Sequence, residues 1–304
     1  MAVPLISFDT LFQAADSLRP KIPIAVAGGD DVTVLQALRS ACDRGWIAPH
    51  VVGAEGDIRE TANRYRVDLD GFSLHDSGDP AGAAVALVRC GHARLLMKGQ
   101  ISTPLLMKAM LDSDTGLRTD RVISQVVLME LLRTDRRVLL ADTGVCIQPN
   151  LAQKVDILQS AVDLAHALGA ECPRVAHLAA TETTTPSMPE TLDAAELERR
   201  NRAGEISGCV VRGPLSFDIA FDAAAATKKS HHDPAFGVAD ILLFPNLLSA
   251  NLTVKAIMYT ADCRYGGVLC GASCPVVFMS RSDTLATRLN SLALALFAFL
   301  HRSP

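Results

Sequence analysis

Short runs of β-branched and aliphatic residues alternate with helix-spaced apolar patterns along nearly the whole chain, and this alternation constrains the fold more than any other feature. A strand buried on both faces reads as a continuous apolar run, and a parallel crossover needs a dozen residues or more, most simply a helix. The strand candidates of the first half are residues 22–27 (IPIAVA), 49–53, 94–98 and 136–141, with a longer run at 122–129. Between them, residues 31–43, 57–66, 79–90 and 102–112 carry apolar residues at helical spacing. Asp79-Pro80 and Ser102-Thr103-Pro104 have the chemistry of helix starts. The second half resumes with a long helix at 150–169 and strands at 174–180, 208–212, 239–244, 266–270 and 275–279, and a final helix begins near Asp283.

This pattern predicts an α/β protein of two doubly wound domains, with mostly parallel sheets and a cleft between them. A length of 304 residues suits two cores rather than one. The turn-rich segment from Asp142 to Asn150 marks the boundary, giving a first domain of residues 1–145 plus 272–304 and a second of 146–271.

A net charge of -4 supplies no general attraction for nucleic acid or an anionic membrane, so an anionic substrate needs a local cluster of cations. Eight scattered cysteines without a C-x-x-C pair read as reduced thiols. The amino terminus has no basic start followed by an apolar run, which predicts a cytoplasmic protein. The apolar stretch from Leu292 to Leu300 is about half of the roughly 20 residues that span a bilayer and reads as a buried helix.

Ligands of open α/β sheets bind beyond the carboxyl ends of strands, where helix amino termini offer free N–H groups to anions. Ser280-Arg281-Ser282-Asp283 sits at such a strand-to-helix junction, where Arg281 can hold phosphate through two parallel bonds. The same pattern fits a capped helix with Arg281 as a solvated charge. Asn251 and Lys255 stand four apart after the strand 239–244, able to reach one anion or carbonyl, although taken alone the pattern favours an Asn helix cap. Lys98-Gly99 leads through Thr103 into another helix; Gly99 would let a ligand approach the backbone, and Arg118 adds a cation close in sequence. Gly28-Gly29-Asp30-Asp31 lacks the spacing of a dinucleotide or Walker loop and reads as a turn and helix cap. Asp218 with Asp222, and His231-His232-Asp233, would be the hooks for a metal. Ordinary helix-start acids and a solvated loop describe them better, and no metal is expected. Neither Cys270 nor Cys274 has a neighbouring His to activate it as a nucleophile.

The blocks MKGQISTPLLMKAML, TGLRTDR, DILQSAVDLAHALG, TLDAAEL, VVRGPLSFD, ADILLFPN with Asn251 and Lys255 after it, GGVLCGASCPVV, and SRSD followed by LNSLALA occur in that order from about Lys98 to Asn290. Together they resemble the phosphate acetyl/butyryltransferase family, most closely its butyryl branch; the first 90 residues or so share only the strand-helix rhythm. The resemblance implies reversible transfer of a short acyl group between coenzyme A and inorganic phosphate, by direct thiolate attack in a ternary complex. It implies a homodimer or higher homo-oligomer, coenzyme A as a substrate and no dissociable cofactor. The family's phosphate-site Ser and Arg correspond to Ser280 and Arg281, with Asn251 as a further catalytic donor. Lys98, Gly99, Thr103, Arg118, Ser124, Lys255 and Asp283 fall in its substrate-binding stretches.

Three positions depart from the pattern. Acetyl-type members carry an acid where this chain has Thr287, and the butyryl branch usually has Ser-His where it has Ser124-Gln125 and Asn where it has Cys146. Two other readings stay open: a metal-dependent NAD(P) dehydrogenase of related architecture, hooked on Asp218 and Asp222, and a catalytically silent protein that binds coenzyme A or acyl phosphate.

Overall fold

The computed structural model describes residues 4–229, 233, 235–278, 280 and 283–301. It divides into two compact units. The first takes Phe8–Arg121 and the chain from Tyr265 onward, and the second takes Val122–Arg264 with the short segment that ends at Ser7. Both divisions fall earlier in the sequence than the 145/146 and 271/272 expected. The first does so because residues 124–141 form a hairpin whose second strand pairs with residues 241–243 of the second unit.

The first unit opens with α1 (Phe8–Asp16), β1 (Ile22–Ala27), α2 (Val32–Asp43), β2 (Ile47–Gly53), α3 (Glu55–Tyr65), β3 (Ser73–Asp76), α4 (Pro80–Arg89), β4 (Leu95–Lys98) and α5 (Thr103–Leu111). The second holds β5 (Ser124–Leu131), β6 (Arg136–Ala141), α6 (Leu151–Ala167), β7 (Arg174–Leu178), α7 (Pro189–Arg202), β8 (Val210–Leu215), the short α8 (Phe217–Phe221) and α9 (Ala223–Lys228), β9 (Ile241–Leu243) and α10 (Leu247–Thr260). The division falls inside β10 (Cys263–Cys270), and the first unit closes with β11 (Val276–Val277) and α11 (Leu285–Leu300).

Within the first unit the strand order is β3-β2-β1-β4-β11-β10, parallel except for the β10/β11 pair. Within the second it is β5-β6-β9-β7-β8, parallel except for the β5/β6 hairpin. Each strand candidate of the sequence is a strand. The elements it did not single out, α1, β3 and α7, are short or strongly polar; α7 buries only Thr191, Ala194 and Leu197.

All four residues of β4 and the last four of β1 are buried. Leu292 to Leu296 of α11 are fully enclosed, and that helix packs on α1, α2, β4 and β11. The apolar carboxyl-terminal stretch is thus a helix buried through Leu296, with Leu300 exposed at its end. No helix among the described residues is long and apolar enough to cross a membrane.

Register sets the edge where chemistry can occur. Ala27 lies opposite Lys98, and Met97 opposite Val277, so β1, β4 and β11 end side by side. The turns that leave β1 and β4 then lock together: Gly99 N–H donates to Ala27 O at 2.9 Å and Gln100 N–H to Gly28 O at 2.8 Å. Gly28 has φ +85°, which a side chain would strain. A Cβ on residue 99 would lie 1.8 Å from the Gly28 carbonyl oxygen. Gly99→Ala is therefore expected to lower the stability of the protein by about 3 kcal/mol, seen as a lower urea midpoint at unchanged m-value; a midpoint equal to wild type would contradict the contact.

Candidate functional site

Two of the residues singled out by sequence, Lys98 and Gly99, lie at this edge of the first unit, whereas the Arg118 segment is tied to the loop that enters β11 from its other end. Lys98, the last residue of β4, is 4% exposed and donates from Nζ to the Gly99 carbonyl at 3.4 Å. Gly99 meets the Gly28 turn on its Cβ side, so its small size serves backbone packing there. Thr103 is exposed at the start of α5, where Pro104 needs no N–H partner. The Gly28 to Asp31 loop is a turn and helix cap as expected: Asp31 accepts from Val34 N–H at 2.9 Å.

Ser280 follows β11 and is exposed. Its N–H donates to Asp283 Oδ2 at 2.8 Å, while Asp283 N–H donates back to Ser280 O at 3.2 Å, so Asp283 clasps the turn that delivers Ser280. The cap of α11 itself is Thr284, whose hydroxyl accepts from Thr287 N–H at 3.3 Å. Arg281 and Ser282 lie outside the described residues. Arg118 is exposed, and its segment is stitched to the loop before β11: Thr119 Oγ1 donates to Gly271 O at 2.6 Å and Ser273 N–H to Leu117 O at 2.9 Å.

The second unit carries its own polar cluster, and its hub was not anticipated from sequence. Asp142 follows β6 directly and is 4% exposed. Its Oδ1 accepts from the N–H groups of Gln125 (2.9 Å), Gly144 (3.0 Å) and Val145 (3.2 Å), and Oδ2 from Cys146 (2.7 Å). The signal was present as an acid immediately after an apolar strand and two residues before a glycine. Thr143 Oγ1 donates to Gln125 Oε1 at 3.2 Å, and Thr143 O receives Asn251 Nδ2 at 3.5 Å. The cap of α10 is Asn246, which accepts from Ser249 N–H at 3.0 Å. That removes the capping alternative for Asn251, which lies one turn inside the helix and ties it to the Asp142 loop. Lys255 follows on the next turn, exposed. Ser124 begins β5 fully buried, its Oγ without a hydrogen-bond partner.

Asp218 and Asp222 do not converge. Asp218 accepts from Ser216 Oγ at 2.6 Å and pairs with Lys229 at 2.9 Å, interactions that lower its pKa to about 2. Asp222 ends α8 and caps α9, accepting from Ala224 N–H at 2.8 Å. The hook for a shared metal is thereby lost. His231 and His232 lie outside the described residues, and no group of three or more potential metal-ligating side chains occurs among the described ones.

Residues 77–296 match the phosphate acetyl/butaryl transferase family model. The chain belongs to that family. It is 38% identical to the phosphate butyryltransferase of Clostridium acetobutylicum, over 95% of this chain and 97% of the relative. It is 40% identical to the phosphate acetyltransferase of Rhizobium meliloti, over 95% of this chain and 92% of the relative. The crystal structure of a branched-chain phosphotransacylase from Enterococcus faecalis V583 superposes with a TM-score of 0.81 at 30% identity, covering 91% of this chain and 99% of that one. The likeness therefore extends into the first 90 residues or so, where the sequence displayed only a rhythm. The protein is an acyltransferase of the phosphate acyltransferase type, which sets the dehydrogenase reading aside.

Within this transferase the positions that depart from the family pattern have structural work. Thr287 is buried against the α11 cap, its Oγ1 3.1 Å from Thr284 Oγ1. Cys146 donates its thiol to Ile123 O at 3.6 Å, and burial, then the Asp142 charge, push its pKa up to about 12. It is a protonated thiol at neutral pH and a poor nucleophile. Asp142→Asn places an amide donor against backbone donors and is expected to cost about 2 to 3 kcal/mol in denaturant melts; a loss below about 0.5 kcal/mol would show that the carboxylate does not organise the loop.

Proposed function

We propose that the transferase moves a short acyl group reversibly between coenzyme A and inorganic phosphate, with no acyl-enzyme intermediate. In the direction from acyl phosphate, the thiolate of coenzyme A attacks the acyl carbonyl carbon. An S–C bond forms, the C–O bond to phosphate breaks, and phosphate leaves with the electron pair. Family membership and the polar edge formed where β1, β4 and β11 end together support this reading. The observation that carries it is that Ser280, exposed after β11, is held by Asp283 just ahead of the Thr284 cap of α11.

In this reading Ser280 donates to the carbonyl oxygen as negative charge builds, and Arg281, its neighbour in sequence, takes the phosphoryl group. Lys98, Thr103 and Arg118 add donors and charge, and Asp283 holds the Ser280 turn. Asn251 is an amide donor toward the acyl-CoA, Lys255 a cation for its phosphates, and Ser124 a spare buried hydroxyl of the second unit. Coenzyme A enters as a substrate and no dissociable cofactor takes part. Cys146, with its thiol pKa near 12, supports direct attack over a thioester at that position.

Free thiol release from acetyl-CoA and butyryl-CoA is expected only when phosphate is present, and Ser280→Ala should slow it about 100-fold to 1000-fold. Arg281→Ala should raise the KM for phosphate and lower kcat. Absence of phosphate-dependent release from every short acyl-CoA would overturn the reading and favour a silent binding protein.

The proposal includes a homodimer. The outer face of α10 exposes Leu248, Leu252 and Tyr259 at 69%, 61% and 78%, an apolar stripe of the kind that subunit contacts cover. Leu248→Asp with Leu252→Asp is expected to yield a monomer in analytical ultracentrifugation where wild type sediments as a dimer. A wild-type monomer at micromolar concentration would refute it.

A further inference from the structure

Among the described residues one buried arginine makes neither an ion pair nor a hydrogen bond. Arg288 lies in the first turns of α11, only 3% exposed, and its Nε has no hydrogen-bond partner. Other buried or half-buried cations all hand their charge to neighbours. Lys154 pairs with Asp193 at 2.6 Å, Arg174 holds Asp240 through two bonds of 2.8 and 2.9 Å, Arg137 meets Glu130 at 3.1 Å, and Arg136 donates to the Ala239 carbonyl at 3.1 Å. Burying a guanidinium without such a partner costs several kcal/mol on general grounds, so an unpaired one is an expensive feature.

The position of Arg288 accounts for that cost. Side chains on a helix lean toward its amino terminus, which for Arg288 is the Thr284 cap, next to Asp283 in sequence. Two carboxylates act on its charge, Asp31 and Asp283. Both are committed to backbone and hydroxyl donors: Asp31 Oδ1 accepts from Val34 N–H and from Thr33 Oγ1 at 2.5 Å, and Asp283 Oδ2 accepts from Ser280 N–H. Neither forms an ion pair with the guanidinium. The group therefore lies in the first turns of α11, within electrostatic reach of Asp283, which holds Ser280, and of Asp31, the cap of α2, and it makes no hydrogen bond to either.

We propose that Arg288 is a phosphoryl-binding residue of the first unit, its guanidinium held dry and unpaired until the oxyanion at the Ser280 turn completes it. This rests on the phosphate site proposed above and adds to it a second arginine. An arginine fork matches two oxygens of a phosphoryl group, and a desolvated one does so without first shedding water.

The test compares wild type with Arg288→Met and Arg288→Lys, in melting experiments with and without inorganic phosphate or coenzyme A and in steady-state kinetics. Arg288→Met should melt at or above wild type when no ligand is present, because an unpaired buried charge is removed. Inorganic phosphate should raise the melting temperature of wild type and leave that of Arg288→Met unmoved. The KM for phosphate should rise about 10-fold or more in Arg288→Met, with the KM for acyl-CoA unchanged. A lower melting temperature in Arg288→Met together with a retained phosphate shift would overturn the proposal in favour of a packing role. A rise confined to the KM for acyl-CoA would overturn it in favour of a coenzyme A phosphate. Should Arg288→Met fail to fold, Arg288→Lys decides, since it keeps the charge and loses the fork; an unaltered KM for phosphate there refutes the assignment. If wild type shows no phosphate-dependent turnover, the proposed reaction falls, and the phosphate-induced melting shift still judges Arg288.

Discussion

The carbonyl oxygen of Gly28 occupies the space where a side chain on residue 99 would begin, 1.8 Å from that Cβ position. The ends of β1 and β4 approach this closely because the two strands run parallel in register and both turns bond inward, through Gly99 N–H and Gln100 N–H. Those bonds satisfy backbone donors that would otherwise be buried and unpaired. They also fix where Lys98 ends its strand and where α5 starts. β11 runs parallel on the other side of β4, so the Ser280 turn inherits its position from the same register. A glycine chosen for packing thus sets the geometry of an edge whose chemistry is carried by its neighbours.

The second unit organises its polar loop by charge instead of by close backbone contact. One carboxylate, Asp142, gathers four N–H groups across the end of β6 and the start of β5. Such a nest fixes the path of residues 143–146, and the loop meets α10 through Asn251 at the Thr143 carbonyl and through Leu247 N–H at the Ile147 carbonyl. The same charge, added to burial, keeps the Cys146 thiol protonated. The residue that shapes this loop also silences its nucleophile. Gln125 completes the arrangement: its side chain fills the space beside Gly144, where a Cβ would lie 2.0 Å from Oε1.

The fold was largely legible in the sequence because buried parallel strands are continuous apolar runs, and β1, β4, β6 and β9 are of that kind. The division between units was less so. The β5/β6 hairpin is as apolar as the strands before it, and its attachment to β9 depends on pairing that no local pattern announces. Candidate residues at strand ends were found because helix starts and glycines mark such places. Their roles were harder to read. Gly99 packs against a neighbouring turn, which no local pattern announces, and Asn251 has two readings in sequence that the Asn246 cap of the helix separates. Asp142 and Arg288 escaped because one looks like a turn acid and the other like a surface charge on a helix. Only three-dimensional burial separates them from the many residues that are those things.

The overall charge of -4 supplies no general attraction for an anionic substrate, and distance limits how far it repels one. Exposed charges more than about 8 to 10 Å away are screened by physiological salt, so the net negative charge contributes little at the β1, β4 and β11 edge. What an anion meets there is set by the nearest groups and by how much water lies between. A solvated lysine offers little in such a setting, because hydration competes with every new bond it makes. A guanidinium held inside the protein has no hydration to lose, and its attraction acts through a medium of lower dielectric. The same desolvation lowers the pKa of Arg288 from the usual arginine value without neutralising it, since arginine remains protonated throughout the physiological range. A chain with a modest negative balance can therefore receive phosphate with few cations, provided that at least one is dry and unpaired.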